Sequence, residues 1–228
     1  MPLAAVLWDM DGLLVDSEPL WTLAEIDLAE QLGGSWDDEL KAAIAGTRLD
    51  VAVPTILSHY GHPSDPETVA RASQQLLSRM VALYGEDPPL LEGVPELLAA
   101  VAEQGVPQAL VSSSYRVLVD AVLAHGYGPF ALTISGDEVV HGKPHPEPYL
   151  VAAARLEVDP ADCVVLEDSS SGVRSGLAAG CAVVAVPSVP GTAVAPSARV
   201  HVRTSLRGLS VEDLQALVSE RLPAAPAG

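Results

Sequence analysis

Val6 to Glu18 reads VLWDMDGLLVDSE, and the order of residue types in this stretch decides the fold. Ala4 to Trp8 is a short apolar run, the pattern of a buried strand. The run delivers two carboxylates, Asp9 and Asp11, to the strand's C-terminal end, and Gly12 then breaks it. In an open α/β sheet, ligands bind outside the carboxyl ends of the strands. Two acids placed there can divide the work: one attacks a phosphorus, and the other moves the proton of the leaving group. Two loop acids with no chemical role are the alternative reading, and for such a pair taken alone it is the commoner one.

Working outward, residues 19–32 read as a helix, with Leu20, Leu23, Ile26 and Leu28 set among Glu and Asp. Residues 38–45, 49–60 and 66–84 also read as helices, with breaks at Gly46 and at Gly61-His62-Pro63. Asp65-Pro66-Glu67 has the form of a cap and first turn. Gly85-Glu86-Asp87-Pro88-Pro89 reads as a linker. Beyond it, helix and strand alternate: helices at 94–104, 115–125, 146–156 and 171–179, and strands at 107–111, 131–134, 163–166 and 182–186. A weaker strand near 199–202 and a last helix near 210–221 follow. This alternation predicts parallel βαβ units with right-handed crossovers. The expected fold class is therefore α/β, a Rossmann-like parallel sheet core interrupted by a helical insert. No internal repeat is visible, and Pro223 to Gly228 reads as a disordered tail.

At 228 residues the chain suffices for one generous domain, or for a core with a smaller insert. No apolar run reaches the ~18 residues of a membrane span. The first residues run directly into the Asp9 segment without a basic stretch, so they read as part of the fold and not as a signal peptide. Cys163 and Cys181 are the only cysteines, and each begins an apolar run where a small buried thiol is expected. They give no disulfide framework, which fits a reducing, cytoplasmic setting. A net charge of −18 argues against a nucleic-acid partner. It also repels anionic substrates, so a phosphate-handling site must gather positive charge locally. Lys41 and Lys143 are the only lysines available for that.

Four segments together resemble the haloacid dehalogenase-like hydrolases. Asp9-Met10-Asp11-Gly12 is similar to the family's first motif, and Ala109-Leu110-Val111-Ser112 to its second, an apolar strand ending in Ser or Thr. Gly142-Lys143-Pro144, with Pro146 and Tyr149, is similar to the third, and Val164-Val165-Leu166-Glu167-Asp168-Ser169 to the fourth. The resemblance covers nearly the whole chain, with the motifs in order and at compatible spacings. It implies a catalytic core at residues 1–15 and 89–228, and a helical cap domain at 16–88 that closes over the site and selects the substrate.

The resemblance also implies roles. Asp9 is the expected nucleophile, forming an aspartyl-phosphate, and Asp11 the expected acid and base. Mg²⁺ is the expected cofactor, held by the Asp9 and Asp168 carboxylates and the Asp11 backbone carbonyl, a set of hard oxygen donors. Glu167 is either a further ligand or an acceptor for a water on the metal. Ser112 and the amide of Ser113 are expected to hold phosphoryl oxygens, with Lys143 offsetting repulsion between Asp9 and the incoming anion. Ser112, Ser113 and Ser114 are consecutive, and any of them could instead cap the following helix. Gly12 is expected to allow close backbone approach to the phosphate. In the insert, Arg48 of Gly46-Thr47-Arg48 and Glu18 are candidate substrate contacts, Trp21 is a core, hinge or platform residue, and Arg79, with Arg116 just past the second motif, is a further candidate. His141 and His145 flank Lys143 and read as loop histidines without a ligand role.

Within the family, Asp11 separates the chain from the true dehalogenases, which lack the second Asp, and from the phosphonate hydrolases, which replace it. β-Phosphoglucomutase-like enzymes are the nearest alternative, but they carry a His where Trp21 stands and a Lys and Asn where Tyr115 and Arg116 stand. The segments DSEPLW and KPHPEPYL are most similar to sugar- and polyol-phosphate phosphatases. The expectation is a phosphomonoesterase for a small phosphorylated metabolite, a monomer with no membrane or nucleic-acid partner. A non-catalytic binding protein on the same fold is the remaining alternative. Retention of Asp9, Asp11, Ser112, Lys143 and Asp168 speaks against it.

Overall fold

The computed structural model describes residues 2–44, 47–86, 88–188 and 194–219. The expected break at Gly46 and the expected tail at 223–228 lie outside the described residues. The chain forms two units. An α/β unit is built from Met1–Val15, Leu90–Ser113 and Gly128–Gly228, and a helical unit from Asp16–Pro89 and Ser114–Tyr127.

In the α/β unit, β1 (Ala5–Trp8), β2 (Gln108–Val111), β3 (Leu132–Ile134), β4 (Cys163–Glu167), β5 (Ala182–Ala185) and β6 (Val200–Val202) form one sheet. Their order is β3-β2-β1-β4-β5-β6, and every neighbouring pair is parallel. This is the expected Rossmann-like α/β sheet. β1, β2, β4 and β5 are buried along their whole length, which is why they read as apolar runs apart from Gln108 at the start of β2 and Glu167 at the end of β4. The chain builds outward from β1 to β3, then returns to lay β4 against the other side of β1. The crevice between the C-terminal ends of β1 and β4 is therefore the topological switch point, where such sheets bind ligands.

The helices, in chain order, are α1 (Glu18–Gln31), α2 (Asp38–Ile44), α3 (Leu49–His59), α4 (Pro66–Tyr84), α5 (Val94–Glu103), α6 (Arg116–Leu123), α7 (Glu147–Arg155), α8 (Ser170–Ala178) and α9 (Val211–Ser219). On one face of the sheet, Leu7, Val111, Val165 and Val183 pack in a cluster with Tyr149 and Ala152 of α7 and Val173 of α8. Cys163 and Cys181 are free and buried in that cluster, as small apolar residues. Burial pushes the Cys163 thiol up to about 12, with Asp162 and Asp159 adding to the effect, so it stays protonated.

The helical unit is organised around α4, whose stripe of Thr68, Ala72, Leu76, Met80, Leu83 and Tyr84 is buried. Asp65 caps it by accepting from the amides of Glu67 and Thr68. α1 packs on α4, burying Ala24, Leu28 and Ala29 and leaving Leu23 exposed. The helix expected at 115–125 as part of the core is α6, and it groups with the helical unit because it packs on α4. His125 Nε2 pairs with the Tyr84 carbonyl at 2.6 Å, and the Tyr127 hydroxyl donates to the Pro88 carbonyl at 2.8 Å. No described helix is long and apolar enough to cross a membrane.

Candidate active site

Sheet register assembles the site. β1 pairs Trp8 with Leu110 on one side and with Leu166 on the other. The next residues, Asp9, Val111 and Glu167, therefore stand in one row at the C-terminal edge. The Asp9 amide continues the ladder by donating to the Leu166 carbonyl at 3.0 Å. Asp168 follows Glu167 on the turn into α8. After Asp9 the chain folds back on itself, with the amides of Leu14 and Val15 donating to the Met10 carbonyl and that of Gly12 to Val15. Gly12 has φ +77°, open to glycine and rarely to other residues. A Cβ there would overlap Asp168 Oδ2 and come within 2.8 Å of Ser188 Oγ.

Lys143 crosses this edge. Its ammonium donates to Asp9 Oδ1 at 2.5 Å, to the Val111 carbonyl at 2.9 Å and to Glu167 Oε1 at 2.6 Å. Those bonds use all three of its donors. The Lys143, Asp9 and Glu167 side chains are 3%, 8% and 0% exposed. Burial alone would lower the Lys143 pKa, but Asp9 and Glu167 together hold it above the usual lysine value, so the ammonium stays charged.

Glu167 is saturated by protein donors. Oε1 accepts from Lys143 and, at 2.8 Å, from the Tyr149 hydroxyl. Oε2 accepts from the amides of Asp168 and Ser169 and from Ser169 Oγ, each at 3.0 Å. Asp168 Oδ2 accepts from Ser188 Oγ at 2.5 Å. Ser112, at the end of β2, is buried and donates to Asp11 Oδ2 at 3.3 Å, while its own amide is taken by the Ile134 carbonyl.

Negative charge exceeds positive charge here. Burial, opposed by Lys143 and reinforced by Glu167 and Asp168, raises Asp9 well above the usual carboxylate range. Asp168 is pushed up to about 8, first by burial and then by Glu167. Asp9, Glu167 and Asp168 each offer an oxygen, and these atoms lie within 4.8 Å of one another. Three buried carboxylates against one ammonium, all hard oxygen donors, suit a divalent cation.

The structure thus brings Asp9, Asp11, Gly12, Ser112, Lys143, Glu167 and Asp168 together in the α/β unit. Ser113 follows Ser112, and its backbone packs so closely on Gly136 that a Cβ at 136 would overlap the Ser113 carbonyl. Glu18 and Arg48 belong to the helical unit, where Glu18 opens α1 and Arg48 precedes α3, its Nε 3.4 Å from Asp50 Oδ1. His141 and His145 place their rings 4.7 Å apart, and His145 Nδ1 accepts from the Glu147 amide. Sequence reasoning missed Ser188, which no motif marks, and Gly172, where a Cβ would overlap the Glu167 carboxylate and whose only signal is a glycine in the first turn of a helix. Tyr149 belongs to the third motif, which assigns it no role.

The family model for haloacid dehalogenase-like hydrolases matches residues 3–180. Hexitol phosphatase B of Escherichia coli strain K12 is 36% identical over 224 residues, covering 96% of each chain. A phosphorylated carbohydrates phosphatase of Thermotoga maritima is 32% identical, over 77% of this chain and 81% of its own. CbbY from Rhodobacter sphaeroides, solved in complex with phosphate, superposes with a TM-score of 0.83 at 26% identity, covering 93% of this chain and 99% of that one.

Proposed function

This chain belongs to the haloacid dehalogenase-like hydrolase family, and from that premise we propose that it is a Mg²⁺-dependent phosphomonoesterase for hexitol or sugar phosphates, working through Asp9. The observation that carries the proposal is Lys143, a buried ammonium 2.5 Å from Asp9 Oδ1, beside Asp168 at the switch point of the sheet. The hexitol phosphatase, matched over 96% of each chain at 36% identity, supports the substrate class.

Asp9 attacks the phosphorus of the ester, forming an aspartyl-phosphate as the ester P–O bond breaks. Asp11, which accepts from Ser112, gives a proton to the departing alkoxide. Water then attacks the phosphorus of the aspartyl-phosphate, Asp11 takes its proton, and inorganic phosphate leaves with Asp9 restored. Lys143 holds positive charge beside Asp9 throughout, offsetting the repulsion between that carboxylate and the phosphoryl oxygens. Asp9, Asp168 and the Asp11 carbonyl would hold Mg²⁺, which when bound keeps both carboxylates ionised and offsets the charge of the phosphoryl group. We assign Glu167 to holding Lys143, since its two oxygens already accept five protein hydrogen bonds. Residues 16–88 serve as the cap, with Glu18 and Arg48 as its substrate contacts.

The test is phosphate release from a panel of hexitol, sugar and nucleotide monophosphates with Mg²⁺, run beside Asp9→Asn. Release by the wild type alone, favouring hexitol or sugar phosphates, is expected. Conversion of β-glucose 1-phosphate to glucose 6-phosphate without net phosphate release would overturn the hydrolase reading in favour of a mutase.

A further inference from the structure

We propose that Tyr149 is a positioning residue of this site: its hydroxyl engages Glu167 Oε1 and its ring lies under Lys143, so that the ammonium stays directed at Asp9 instead of closing onto Glu167. The inference rests on the reading of Lys143 as the cation that meets the phosphoryl group.

Tyr149 lies in the first turn of α7, six residues after Lys143, and is fully buried. Its hydroxyl donates to Glu167 Oε1 at 2.8 Å, the same oxygen that Lys143 reaches at 2.6 Å. The ring centroid is 4.9 Å from Lys143 Nζ, within cation–π range. A phenylalanine would pack as well, so the hydroxyl is an added polar group whose burial is costly unless it is bonded. Its bond goes to the oxygen that competes with Asp9 for the ammonium.

That competition is close to even, since Nζ is 2.5 Å from Asp9 Oδ1 and 2.6 Å from Glu167 Oε1. Glu167 cannot rotate to relieve it, because Oε2 is fixed by Asp168 and Ser169. A second donor on Oε1 withdraws charge from that oxygen and weakens its hold on Lys143. The aromatic face meets the ammonium on a side where no donor is left over. Without the hydroxyl, the ammonium moves toward Glu167 and meets the phosphoryl oxygens less well as charge develops on them. The effect therefore falls on kcat more than on KM.

Lys41 and Lys143 are the only lysines in the chain, which makes a direct readout simple. In full-length protein carrying ε-¹⁵N-lysine, with the two ammonium signals assigned by Lys41→Arg, Tyr149→Phe is expected to shift the Lys143 resonance and leave that of Lys41. Glu167→Gln, as a second variant, is expected to shift the same resonance. Tyr149→Phe should keep a near-native Tm, lower kcat about tenfold and change KM less than about threefold. In the Glu167→Gln background it should cost nothing further. An unmoved Lys143 resonance, an unchanged kcat in the folded variant, or the same loss of kcat in the Glu167→Gln background would overturn the inference. If the wild type hydrolyses no phosphate ester, the proposed function falls, and the Lys143 resonance still decides the positioning role.

Discussion

Glu167 and Gly172 share one volume: the Glu167 carboxylate lies where the side chain of any residue other than glycine would begin at position 172. The first turn of α8 thus closes over the acid that anchors Lys143. Gly172→Ala forces either the helix or the carboxylate to move. The expected result is a loss of about 2–4 kcal/mol in urea unfolding, together with loss of phosphatase activity. A folded variant of native stability with normal turnover would show that Glu167 need not sit where it does.

Lys143→Met leaves Asp9 and Glu167 buried without their cation. Breaking one side of a buried ion pair costs about 3–5 kcal/mol. Turnover should fall at least about 100-fold, the scale of losing one donor to developing charge. Urea midpoints and steady-state rates check both effects. A native midpoint would mean that the carboxylates have another source of compensation.

The metal site should compete with protons. Burial and Glu167 push Asp168 up to about 8, and Asp9 is also raised. A cation must displace those protons, so Mg²⁺ affinity should strengthen as pH rises toward that value and level off above it. Calorimetric titration of Mg²⁺ across that range measures this. An affinity independent of pH would remove Asp168 from the ligand set.

In the helical unit, burial and the nearby Glu18, only partly offset by Lys41, raise Glu25 from 4.5 to about 7. Between those values the folded chain binds the proton more tightly than the unfolded chain, so the Glu25 contribution to stability falls as pH rises. Glu25→Gln removes that dependence. Relative to wild type, the variant should gain on the order of 2–3 kcal/mol from the acid side of this window to the alkaline side. Urea unfolding on both sides checks it, and a constant difference would contradict it.

The fold was legible because its four central strands are buried on both faces. Ala5–Trp8 and Cys163–Glu167 carry that burial as plain apolar runs, and the acids that end them mark the switch point. Lys143 was legible for a different reason: in so acidic a chain, one of two lysines at a family motif stands out. What the sequence hid is three-dimensional. Ser188 reaches Asp168 from the segment after β5, twenty residues on, with no spacing rule to announce it. Gly172 looks like an ordinary helix glycine until the Glu167 carboxylate is seen to fill its side-chain space. α6 follows β2 directly and read as core, but which unit it joins is decided by packing against α4, a long-range contact that local periodicity does not encode.

The most direct test of the central claim is to look for the phosphoryl group on Asp9 itself. Asp11→Asn, mixed with a hexitol phosphate and Mg²⁺ and quenched in acid during turnover, should carry a phosphoryl group that mass spectrometry maps to Asp9, and Asp9→Asn should carry none. Turnover by the wild type with no phosphoryl group trapped on Asp9 in the Asp11→Asn protein, or with the group on another residue, would contradict the account.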